Sequence, residues 1–268
     1  MELIRNGNKH VALLVEYLGL LEGGPVSREV FDRYDSVLSS ATAFEVNEAL
    51  DIVLSEAPRG GKAAGMVSGI ELWKLPVARF IRSVSRGLDA EALPSYPNDS
   101  LLARLEAENC TIEAEMRVIQ GLAREARSSE TKHGELRGRI AGFGLLRHHY
   151  VALQNELFPL FESTSPRHAC VKLMWALQDD ALGFQNRLAQ GSEDEPAFLK
   201  ALGDFFLTAG SLIYRERRIL FPVAFRAIDA SGRAADGAPD GLSASPLAAF
   251  SSLTGSLTPN ELEAIFKV

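Results

Sequence analysis

Cysteine is nearly missing from this chain: 268 residues contain two, Cys110 and Cys170. Neither has a second cysteine nearby and each lies inside a helical pattern, so neither a zinc knuckle nor a disulfide framework is expected, only two reduced core thiols. Long apolar runs are missing too. The N-terminal stretch MELIRNGNKHVALLVEYLGLLEGG interrupts its apolar residues with Glu, Arg, Asn and Lys, which a signal peptide does not. No run of about eighteen apolar residues follows it. The expectation is a soluble, cytoplasmic protein with no membrane partner. Basic charge is short: 28 Lys and Arg face 35 Asp and Glu, a formal net charge of −7 with a pI near 5.4. Such a surface does not track a phosphate backbone, which excludes nucleic acid as the expected partner.

Motifs of common chemistries are absent as well. RGGKAAG at 59–65 has glycines and a lysine but neither the spacing nor the Ser/Thr of a phosphate-binding loop, and no strand leads into it. No G-x-S-x-G elbow, H-E-x-x-H helix or C-x-x-C pair occurs, so hydrolase and protease chemistry has no carrier and enzymatic turnover is not indicated. Strand patterns are nearly absent: apolar residues recur at three and four, without alternation.

What is present is helix. Hydrophobic residues make up 46% of the chain, enough for a packed core. Periodicity predicts an all-α protein with helices over 8–22, 27–39, 42–57, 66–88, 99–128, 131–162, 167–190 and 195–229. Gly-Gly-Pro at 23–25, PRGGK at 58–62 and PSYPND at 94–99 supply the breaks. The last separates shorter helices from four long stretches with short links, the pattern of an antiparallel bundle. The domains expected are an N-terminal helical domain over 1–93 and a four-helix bundle over 99–230. Residues 231–257, rich in Gly, Ala, Ser, Asp and Pro, read as a flexible linker. A short terminal helix over 258–268 begins with a Thr258 cap, Pro259 and Glu261, and suggests that a further domain followed. In the first domain, the helix IELWKLPVARFIRSVSRGL at 70–88 should dock Trp73, Pro76 and Phe80 on the bundle. In RERR at 215–218, Arg215, Arg217 and Arg218 read as a solvated face.

Leu-Phe-Pro occurs twice, its prolines at 159 and 222, each time late in a helical run. With HY at 149–150, N-x-LFP-x-x-E at 155–162, MW at 174–175 followed by Asp179, E-x-x-x-LFP at 216–222, EN at 108–109 and TGSLTPNELEAIF at 254–266, the chain resembles a known family. In that bacterial and archaeal family, a helical N-terminal domain of unknown function precedes a hemerythrin-like HHE domain and often a PAS sensor domain. The similarity covers 99–268 well and 8–90 loosely. It implies two similar helix pairs, which explains the repeated signature, and two irons held by inward histidines and carboxylates.

Several of the positions that the resemblance assigns to iron ligands carry other residues. His149 is present, but Ser100 stands eight residues before EN, Leu153 and Gln154 where a carboxylate belongs, Gln178 for a histidine and Leu212 for another, while Glu216 survives. An amide oxygen is a poor iron donor and leucine is none. No metal and no other cofactor is therefore expected; the alternatives are iron, held by His149, Glu216 and Glu108, or haem.

Helical register places His149 with Leu153 and Leu157, Gln178 with Val171 and Met174, Glu216 with Leu212 and Leu220, and Glu108 with Ile112 and Ile119. All four polar groups should point inward, paired as His149 with Glu216 and Gln178 with Glu108. The expected site adds Gln154, and Met174, Trp175 and Tyr214 as the lining of a pocket for a small molecule, together with Phe158 and Phe221. The function expected is a non-enzymatic regulatory or ligand-sensing module. A working oxygen or nitric-oxide sensor or iron-handling protein is one alternative, and a purely structural domain with a protein partner or a second copy is the other.

Overall fold

The computed structural model describes residues 2–56, 69–126, 130–191 and 195–236, with the side chains at 2–8, 130–131, 195–196 and 233–236 left out. The PRGGK break, RGGKAAG, most of the expected linker and the whole expected terminal helix lie outside these residues. Within them every regular element is a helix. Contacts divide the described residues into two compact units that interleave in sequence: those within 1–94, 165–179 and 211–224 form one, and those within 95–164, 180–210 and 225–236 the other. The break expected at 94–99 falls where the first unit hands over to the second. The expected bundle, 99–230, nonetheless lends two segments to the N-terminal unit, because helical contacts follow apolar faces and not chain order.

The first unit contains α1 (Glu2–Leu20), α2 (Arg28–Ser40), α3 (Ala43–Glu56) and α4 (Gly69–Ala90). Helix α1 lies against α3, and α2 against α4. Leu14, Leu18, Val46, Val77, Phe80 and Val84 are wholly or almost wholly buried between them. Local chemistry sets the boundaries. Ser27 accepts a hydrogen bond from the Val30 amide and starts α2. Thr42 and Glu45 form a reciprocal capping box: the Glu45 amide donates to Thr42 Oγ1, and the Thr42 amide to Glu45 Oε2 at 3.0 Å. Gly24, at φ 130°, turns the chain after α1. Gly87 lets α4 approach the α2–α3 link so closely that a Cβ there would lie 2.7 Å from the Ala41 carbonyl oxygen.

The second unit contains α5 (Leu101–Ala126), α6 (Glu130–Ala141), α7 (Gly144–Ala152) and α8 (Phe158–Thr164). Helix α5 packs on α6 and α7. The single helix expected over 131–162 is broken at Gly142 and Phe143, where Phe143 leaves helical geometry at φ −79°, ψ 59° and buries its ring. The break is secured by Gln185, whose Nε2 donates to the carbonyls of Ile140 at 3.0 Å and Phe143 at 2.9 Å.

Two long helices, α9 (Cys170–Gln190) and α10 (Glu195–Arg215), contribute residues to both units, and α11 (Phe221–Asp236) follows. Helix α11 takes in the first six residues of the expected linker, 231–236, through Arg233, Ala234 and Ala235, which favour helix. The run Ala197–Gly232 is by length and composition apolar enough to cross a membrane, a test that the core helix of a packed protein also passes.

The repeated Leu-Phe-Pro has a backbone meaning. Residues Leu153–Leu157 and Glu216–Leu220 are π-turns, and in each the phenylalanine amide bonds the carbonyl five residues back, Phe158 to Leu153 and Phe221 to Glu216. A proline inside an α-helix lacks an amide hydrogen and crowds the carbonyl four residues back. Widening the preceding turn places Pro159 and Pro222 where the bonding register changes, so the missing donor costs the helix least.

Candidate functional site

The N-terminal cap of α5 decides the first of the positions where the resemblance expects an iron ligand. Ser100 Oγ accepts the Ala103 amide at 3.2 Å, and Ser100 is 8% exposed. Its side chain serves the helix start. Leu153 and Leu212 are wholly buried core residues. Gln178 and Glu216 are wholly buried polar ones, and both belong to the first unit.

His149, in the second unit, has no exposed surface and is held by Glu108, whose Oε2 lies 2.8 Å from Nδ1. The two helices that carry them, α5 and α7, pack on each other. The expected pairing is thereby corrected: Glu108, assigned to Gln178 from register alone, sits on His149, because register fixes a face but not the helix opposite it. Glu156, inside the first π-turn, accepts from Arg104 of α5 at 2.5 Å and ties that turn to the same helix.

Two expected lining residues stand elsewhere. Trp175 is 42% exposed; it lies at the edge of the buried stripe Val171, Met174, Leu177, Gln178 and Ala181, so a small rotation of the helix turns it to solvent. Tyr214 donates its hydroxyl to Asp89 Oδ1 at 3.1 Å and to the Ser85 carbonyl at 3.4 Å, which spends it on the end of α4. Burial, then the Asp89 carboxylate, push its phenol above the usual range. Met174 is buried at 4% exposure, Gln154 is half-buried, and Phe158 and Phe221 are core residues.

The charged run at 215–218 is also corrected. Arg218 Nη1 donates to the Leu88 and Glu91 carbonyls, capping α4, and Arg215 is 5% exposed. Arg215 falls on one stripe with Leu212 and Ile219, and α3 and α4 cover the π-turn just beyond it. Among the described residues its guanidinium has a single hydrogen bond, Nη1 to Ser211 Oγ at 3.4 Å, and Nε has none. Burial alone lowers its pKa to about 10, which still leaves it charged at neutral pH. Sequence reasoning missed this residue because three arginines around a glutamate look like a wet face. Trp73, Pro76 and Phe80 are buried, but α4 packs mainly on α2 and the other N-terminal helices rather than on the expected bundle.

Among the described residues, no three His, Cys, Asp or Glu side chains converge to hold a metal ion. With Ser100 spent on a cap, Leu153 and Leu212 in the core and Glu108 on His149, this donor set does not fit a two-iron centre. Cys170 is no substitute donor: burial first, then Asp51, push its thiol up to about 12, and its Sγ donates to Asn47 Oδ1. A separate groove of about 580 Å³ lies in the second unit beside Val118, Leu122, Phe143 and the Arg139–Glu115 ion pair, and no expected site residue lines it.

Compared with known proteins, the chain matches no family model, no curated protein and no solved structure.

Proposed function

We propose that this chain is a non-enzymatic, ligand-sensing regulatory module, an N-terminal helical domain joined to a hemerythrin-like four-helix bundle in which polar side chains stand where the family holds iron. The observation that carries the reading is the His149–Glu108 pair, a fully buried imidazole whose Nδ1 is committed to a carboxylate at 2.8 Å. A buried imidazole and carboxylate are costly without partners, and here Nδ1 and the Glu108 carboxylate satisfy each other. The paired π-turns before Phe158 and Phe221 support the two-repeat origin, since both halves keep the same backbone device. Resident iron or haem plays no part in this reading. A small molecule is the signal, and turnover is not its task.

Two measurements test it. Metal analysis of protein purified without chelator is expected to find no stoichiometric iron; two irons per chain overturn the reading. Native mass spectrometry of protein as purified, compared with the His149→Leu variant, is expected to show a bound compound lost or weakened in the variant. An altered melting temperature with no change in bound mass favours the purely structural reading, to which the exposed apolar residues Leu199 and Leu207 of α10 also point.

A further inference from the structure

A buried charge without an opposite charge is a rare arrangement, because desolvation of the ion is repaid only by a close partner. Arg215 is such a charge. It enters the interior of the first unit at the last residue of α10, immediately before the second π-turn, with 5% of its surface exposed. Four carboxylates of α3 and α4 are engaged elsewhere. Glu45 serves Thr42 and His10, Glu48 pairs with Arg167, Asp51 accepts the Ala169 amide, and Asp89 accepts from Tyr214. No carboxylate contributes to the shift of the Arg215 pKa, whose cause is burial alone. One long bond to the neutral Ser211 hydroxyl uses Nη1 and leaves Nε without an acceptor among the described residues.

We propose that Arg215 is the anion-reading group of a ligand site in the first unit, and that the ligand is a small organic monocarboxylate. The edge of a guanidinium that carries Nε is a planar fork, and a carboxylate matches it with two parallel hydrogen bonds. A single buried cation is neutralised by a single negative charge. A phosphate dianion would set two negative charges against this one cation. The inference rests on the ligand-sensing reading and names its ligand class.

The test is isothermal titration of the full chain with sodium acetate and sodium butyrate, against sodium chloride at equal ionic strength. Saturable carboxylate binding beyond the chloride response is expected. It should weaken at least tenfold in Arg215→Met, which removes the charge at similar volume, and also in Arg215→Lys, which keeps the charge but lacks the fork. Carboxylates that act no differently from chloride, inorganic phosphate that binds as well as acetate, or unchanged affinity in either variant overturns the assignment. Should Arg215→Met not fold, the lysine variant decides alone. Failure here removes the monocarboxylate, while the sensing reading still stands or falls on iron content and on bound mass in His149→Leu.

Discussion

At the scale of single residues the interior is organised by where polar groups are obliged to find partners. Glu108 is the clearest case, because its partner His149 has no access to water. Glu108→Ala should leave Nδ1 without that acceptor and cost about 1–3 kcal/mol of stability, read as a lower urea midpoint with unchanged m. Cysteine offers a second check. Cys110 is exposed and Cys170 is buried, with its thiol held up at about 12. Since the thiolate is the nucleophile, a thiol reagent at pH 8 should titrate one equivalent in the native protein and two in denaturant. Rapid reaction of both in the native state would place Cys170 nearer the surface.

At the scale of elements, glycines show where close approach has replaced side-chain packing. Alanine normally favours a helix over glycine by about 1 kcal/mol. At Gly87 that gain should reverse, because the new methyl meets the backbone of Ala41 at 2.7 Å and 2.8 Å, and backbone cannot swing aside. Gly87→Ala should destabilise by about 1–3 kcal/mol, while Gly121→Ala, with open space around its Cβ, should be neutral or stabilising. Thermal melts of the two variants side by side make the comparison, and equal shifts would remove the close contact from the account of α4. The caps act more mildly. Ser100→Ala should cost about 1 kcal/mol through loss of the α5 cap, with any ligand response intact.

At the scale of the whole molecule the two units share the chain unevenly. Residues 165–179 and 211–224 group with 1–94, and they bring buried Leu212, Phe221 and Arg215 with them. A fragment comprising 95–268 therefore leaves those side chains without the helices that bury them. It should lose the cooperative thermal transition of the full chain or associate in solution. A sharp melt from a monomeric fragment, followed by circular dichroism and light scattering, would show that the C-terminal part completes its own core.

Much of this was legible in the chain itself. Apolar periodicity alone marks the helices, since one face of each must be dry, and Gly-Gly-Pro at 23–25 marks the turn after α1, because its chemistry acts within a few residues. The inward direction of His149, Gln178 and Glu216 follows from the same periodicity. Its limit is that a helix face carries no record of its partner. Tertiary packing alone decided that Glu108 meets His149, that Tyr214 turns to Asp89, that Trp175 stays wet, and that Arg215 is covered at a place where local composition reads as surface. Sequence spacing determines orientation about one helix axis. Which charge is dry depends on what a second helix covers, and that is settled only when the chain is folded.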